Sequence, residues 1–323
     1  MTTLIGQNTG KWLLLPTVVL LTAGCERVNT LVGPNKLRGK ILFQTRSNHY
    51  SQLLFLYPDD PGNLRRVVIT QTLEYAPRWA PDGRKIAFLS DREGQLGLYR
   101  LYLMEANGTN VQPLFDPVRH PEGDLEFSWA PNGNHIALIR SQNNRRQMLI
   151  VDTRTLDRQL VLSALPNRFY LDWSPDGSQI ALISNDPRNP EGAFLQLLSY
   201  PDLTLRTVDV GYKEVTFPRF SPDGKQLAFL AHPNPASTTF QLFVADTQTF
   251  HARQISHLDG GIPLPGPISW APDGHHIIFS TPGTNVFIPS FRDLYSIDIN
   301  GRELSRLTFN PDDDLAPDWT AHD

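Results

Sequence analysis

Four aspartates stand at matching places along the chain, Asp82, Asp176, Asp223 and Asp273, each between a proline and a glycine. Recurring carboxylates are the material of acid–base and metal chemistry. Here the flanking residues give them another task. Proline presets φ near about −65°, aspartate bonds its own backbone, and glycine accepts φ > 0, so each run is a tight turn. A second candidate set is His49, His120, His232 and His257. Brought together, they could hold a metal ion. They are dispersed along the chain, and no metal site is expected from them. His275 and His276 follow a turn and read as the solvated start of a strand. The chain has no G-x-S-x-G nucleophile elbow, no glycine-rich phosphate loop and no histidine pair at helical metal-binding spacing. The expectation is a non-catalytic protein without a cofactor.

The elements that position these turns repeat. WAPDG at Trp79 is followed by WAPNG at Trp129, WSPDG at Trp173, FSPDG at Phe220 and WAPDG at Trp270, with a remnant at Trp319, at intervals of 44 to 50 residues. A period of this length marks a repeat architecture. After each turn comes an apolar, β-branched run such as KIAFLS or QIALIS, which reads as a buried strand. Two further strands complete each repeat. Four antiparallel strands per repeat are the unit of a β-propeller blade. GKILFQTR at Gly39 matches the part of the repeat just after the turn, and DLAPDW near the end supplies only a first strand. The two fragments sum to one blade. The expected fold is therefore all-β: a six-bladed propeller of four antiparallel strands per blade, over 39–323, closed by a composite N- and C-terminal blade. Trp79, Trp129, Trp173, Phe220, Trp270 and Trp319 are its structural repeat positions and should fill the space between blades.

In such a ring the turns within PDG-type hairpins lie on one face and are short. The other connections are long and irregular: SNDPRNPEG, AHPNPASTT, DPVRHPEGD and SHLDGGIPLPG. Long loops on a rigid scaffold are where binding residues concentrate. Five residues before the repeat aromatic stand Glu74, Asp124, Arg168, Val215, Pro265 and Asp314. Glu74, Asp124, Arg168 and Asp314 are expected to border the channel mouth on the long-loop face and to meet a partner there.

Residues 1–24 read as a signal peptide: Lys11 precedes an apolar run of about ten residues, too short for a spanning helix of ~20. Cys25 is the only cysteine, so it has no disulfide partner within the chain. LTAGC resembles the bacterial lipobox, which implies a lipid on Cys25 and a lipidated linker over 25–38. Glu26 rather than aspartate after the cysteine points to the outer membrane if the source is Gram-negative.

The run P-x-W-[SA]-P-D-G-[KR]-x-[IL]-A-F, closest at Pro77–Phe88 and Pro218–Phe229, resembles the repeat of TolB-type propellers, WD-repeat-like modules of bacterial envelopes. The resemblance covers Gly39 to Trp319. It implies a protein-binding scaffold facing the periplasm or cell exterior, with an envelope protein or peptidoglycan-associated partner. TolB carries an α/β domain before its propeller, where this sequence has a linker. The formal charge of −4, from 29 basic and 33 acidic residues, excludes the basic balance of a nucleic-acid binder. A monomer held to the membrane through its N-terminal lipid is expected; the alternative, by resemblance to propeller lyases of acidic sugars, is a propeller lyase or hydrolase acting on carbohydrate with a His-bound metal.

Overall fold

The computed structural model describes residues 38–47, 50–68, 72–93, 97–142, 145–163, 165, 170–186, 189–282 and 291–322. The signal peptide, Cys25, nearly all of the linker, His49 and Arg168 lie outside the described residues.

The described chain is built of strands and turns, with no helix among the described residues. The first blade contributes β1 (Lys40–Arg46), β2 (Ser51–Tyr57) and β3 (Asp60–Val68). The second holds β4 (Glu74–Trp79), β5 (Lys85–Ser90), β6 (Arg100–Glu105) and β7 (Gln112–Pro113); the third, β8 (Gly123–Trp129), β9 (His135–Gln142), β10 (Arg145–Asp152) and β11 (Arg158–Leu162). The fourth holds β12 (Leu171–Trp173), β13 (Gln179–Asp186), β14 (Asn189–Ser199) and β15 (Leu205–Val208). The fifth has β16 (Lys213–Phe220), β17 (Gln226–His232), β18 (Gln241–Asp246) and β19 (Ala252–Gln254). The sixth has β20 (Ser269–Trp270), β21 (His276–Pro282), β22 (Arg292–Asp298) and β23 (Ser305–Arg306). β24 (Asp313–Thr320) returns to the first blade, giving the order β24-β1-β2-β3, while every other sheet keeps chain order. This is the expected six-bladed propeller with its composite closing blade.

Each blade is twisted and apolar on both faces, so it must be covered on both sides, and a closed ring does this without leaving an end blade exposed. The six cores accordingly lie between neighbouring blades. Trp79 packs with Leu53 and Phe55 of the first blade and Phe88 of its own, and its ring stacks on Phe55 at 5.3 Å. Trp129, Trp173, Phe220 and Trp270 repeat this in the next four interfaces. Trp319 fills the sixth, against Ile278 and Leu294 of the sixth blade and Phe43 of the first.

The PDG turns have the anticipated geometry. In the first, Gly83 N–H donates to Ala80 O at 2.9 Å, and Asp82 Oδ1 accepts from Arg84 N–H at 3.0 Å. Asp176, Asp223 and Asp273 accept from the backbone in the same way. Gly83 has φ +68°, a region that disfavours a side chain. Gly39, at φ +98°, leaves no room for a Cβ against Thr320 O, which lets β1 lie beside β24.

Candidate functional site

The innermost strands β24, β4, β8, β12, β16 and β20 surround the axis. The residues just before the repeat aromatic read, around the ring, Asp318, Arg78, Ser128, Asp172, Arg219 and Ser269. Acid, arginine and serine recur twice, so the ring has an approximate two-fold pattern. Four of the six bolt one blade to the next. Asp318 Oδ2 accepts from Trp79 N–H and Asp172 Oδ2 from Phe220 N–H, both at 2.7 Å; Ser128 and Ser269 hydroxyls accept from Trp173 and Trp319 N–H at 3.1 Å.

The two arginines tie inner strands of different blades together. Arg219 donates from Nη1 to Asp172 at 3.1 Å and from Nη2 to Asp318 at 2.6 Å. The second contact passes over the sixth blade to reach the first. Arg78 Nη2 meets Glu126 Oε1 at 3.2 Å. Three carboxylates thus face two guanidinium groups, one formal negative charge in excess, in a setting that is nearly dry: Arg78, Glu126, Asp172 and Asp318 are all buried. Burial pushes Glu126 and Asp172 up to about 7 and Asp318 to about 6, with the Arg78 guanidinium the chief opposing influence in each case. This cluster occupies the axis toward the PDG-turn face.

The three charges expected at the opposite mouth are placed differently from the expectation. Glu74, Asp124 and Asp314 are 0 %, 1 % and 0 % exposed. Glu74 accepts from Arg92 and Thr72, both at 2.9 Å, and its backbone is held by Ser51 of the preceding blade. Asp124 accepts from Arg140 Nε at 2.7 Å and, across the blade boundary, from Leu101 N–H at 2.9 Å. Asp314 accepts from Asn310 at 3.1 Å, and burial pushes its carboxyl up to about 6. They stitch blades rather than line an open rim. The reason is a bulge. The pairing register slips between Tyr75 and Arg78, between Asp124 and Glu126, and between Leu315 and Asp318, and Ala76 and Ala316 take φ of 47° and 49° there. In a regular strand the fifth and first residues before the aromatic would share a face; one extra residue puts them out of phase. The axial ring was open to detection in the sequence, one residue before each aromatic instead of five.

No family model matches the chain. The crystal structure of TolB from Acinetobacter baumannii superposes with a TM-score of 0.75 at 17% identity, over 88% of this chain and 67% of that one. The Tol-Pal system protein TolB of Francisella tularensis subsp. holarctica is 25% identical over 267 residues, 80% of this chain and 58% of its own. The chain carries a TolB-type β-propeller. The TolB-type propeller is also similar to Dipeptidyl-peptidase 5 of Porphyromonas gingivalis, 24% identical over 86% of this chain and 47% of that protein. The chain thus spans about half the length of these two curated relatives.

The described histidines of the TolB-type propeller have separate neighbours. His120 meets the edge of Phe115, His232 packs on Phe240, and His257 contacts Gln254 at 3.2 Å. Among the described residues, no group of three or more His, Cys, Asp or Glu is arranged to hold a metal.

The axial cluster gives the TolB-type propeller an unusual stability profile. A carboxyl whose folded pKa lies above its unfolded value of about 4 binds more protons in the native state than in the unfolded chain between the two values. Stability therefore falls as pH rises from about 4 toward 7. Asp314 adds the same sign. His276, whose affinity for a proton is raised chiefly by its hydrogen bond to Asp273, also favours the acid side. The melting temperature is expected to be several degrees higher at mildly acidic pH than at pH 8. Glu126→Gln, which cannot ionise, should flatten this slope; a slope unchanged by that substitution would show that the cluster does not control it.

Proposed function

We propose that this protein is a non-catalytic scaffold of the cell envelope that holds a protein partner on its long-loop face and is tethered through lipid on Cys25. The observation that carries the reading is the distribution of exposed apolar side chains. Val118, Phe309, Leu264, Phe291 and Tyr50 are 89, 62, 60, 49 and 40 % exposed, and all five sit on connections of the long-loop face. On the short-turn face, Leu156 and Leu304 reach 40 %, and Leu160, Leu205 and Phe194, on strands β11, β15 and β14, are 51, 41 and 39 % exposed. The three most exposed among the described residues, Val118, Phe309 and Leu264, share the long-loop face, and apolar side chains concentrated on one face of a rigid ring mark a protein-docking surface. The similarity to proteins named for the Tol-Pal system supports an exported, envelope-facing role. Glu74, Asp124 and Asp314 contribute to this face by fixing the blade ends from which its loops spring. Arg168, five residues before Trp173 in the sequence, is proposed as a contact.

The test is affinity capture from membrane extracts with the propeller carrying Val118→Asp, Leu264→Asp and Phe309→Asp. Surface changes of this kind shift stability by about 0.5 kcal/mol or less each, so the variant should melt like the parent and lose its partner. Leu156→Asp with Leu304→Asp, on the other face, should retain it. Partner loss in the second variant alone would reverse the assignment of faces. In the same cells, Cys25→Ser should move the protein from the membrane fraction to the soluble one.

The similarity to Dipeptidyl-peptidase 5 supports a second reading, an activity on peptides. Release of dipeptides from longer peptides by the purified protein would establish it.

A further inference from the structure

A cavity of about 270 Å³ opens at the long-loop end of the junction between the sixth and first blades. It is small: sites for drug-sized ligands begin at about 300 Å³, so it admits one compact ring. Its walls divide by chemistry. Leu54, Leu64 and the half-exposed ring of Tyr50 form an apolar side. Gln52 and Thr45, on β2 and β1, form a polar side, and both are 92 % buried (8 % exposed). The Gln52 amide makes no hydrogen bond to another described residue, while the Thr45 hydroxyl faces the buried Asp314 carboxyl, whose ionised form it favours. An amide carried by a largely buried side chain and left unpaired costs stability unless water or a ligand completes it. Arg66 and Asp312 add one cation and one anion, so the cavity has no net preference for charge. Neither side chain forms an ion pair with another described residue.

We propose that this cavity binds a single saccharide ring. A pyranose offers what the walls ask for: a C–H face for Tyr50 and the leucines, and hydroxyls around its edge that both donate and accept. Paired hydroxyls match the forked groups of Arg66, Asp312 and Gln52, and the remaining edge reaches Thr45. A simple anion would be opposed by Asp312 and a simple cation by Arg66. This site needs no protein partner; of the five apolar residues named for the docking face it shares Tyr50, which the variants of both tests leave intact.

The experiment is saturation-transfer NMR on the purified propeller with glucose, N-acetylglucosamine and glucuronic acid, each tested separately, and glycine as a zwitterion. At least one sugar is expected to give a saturable signal. Gln52→Leu and Arg66→Ala should each weaken it about tenfold, the loss expected for one buried hydrogen bond, with melting temperatures near the parent's. If Gln52→Leu does not fold, Arg66→Ala, an exposed position, decides alone. No saturable signal from any sugar, a signal that Arg66→Ala leaves unchanged, or saturable binding of glycine in place of the sugars would each overturn the proposal.

Discussion

Removing β24, by ending the chain after Asp312, is expected to leave no stably folded monomer. Three losses coincide. β24 pairs with β1 along Lys40–Arg46, so its removal bares that strand as an open edge beside the axis. Trp319 leaves the sixth inter-blade core, and deleting a buried indole alone costs about 3–5 kcal/mol. Asp318 no longer holds Trp79 N–H or Arg219. Domains have only about 5–15 kcal/mol to lose. The truncated protein should aggregate through the bared edge, measured as loss from the soluble fraction and absence of a cooperative melt. A circular permutant that joins residue 320 to residue 39 through a short linker and opens the chain at the Asn107–Gly108 turn keeps every strand in place. It should melt close to the parent. A truncated chain that unfolds cooperatively at the parental temperature would mean that the composite blade is dispensable.

The closure was readable in the sequence because it rests on local signals. The half-repeat at Gly39 and the lone first strand at Asp314–Trp319 are complementary fragments of one motif, and turn chemistry at Asp82, Asp176, Asp223 and Asp273 fixes where strands begin. The same local reading failed at the channel. Glu74 and Asp314 look like rim charges if each inner strand alternates regularly; the bulges at Ala76 and Ala316 break that alternation, and a bulge formed by alanine leaves little trace in sequence. Glu126 was invisible for a different reason. It has no counterpart in the other repeats, and its pairing with Arg78 joins residues 48 positions apart. Side chains that meet on the axis come from strands distant in sequence, and only the assembled ring brings them together.

The second large effect follows from that axial meeting. Arg219→Leu is expected to destabilise the propeller by about 3–5 kcal/mol, the usual cost of leaving buried charge without its partner. Asp172 and Asp318 would keep their backbone donors, Phe220 and Trp79 N–H, but would share Arg78 with Glu126 as their only counter-charge. Arg219→Lys should recover part of the loss: an ammonium restores the charge, yet it cannot present the planar fork that reaches Asp172 and Asp318 on different blades at once. The triple variant Arg219→Leu, Asp172→Asn, Asp318→Asn should recover most of it, because each asparagine keeps an oxygen for its backbone donor and no excess charge remains. Replacing a buried ion network by neutral groups of similar shape is often close to neutral. Urea unfolding of the four proteins at pH 8 would order them parent, triple variant, lysine variant, leucine variant. If the leucine variant matches the parent, Arg219 carries no part of the ring's stability. If the triple variant is no better than the leucine variant, the arginine acts through packing of its side chain and not through the charges it faces.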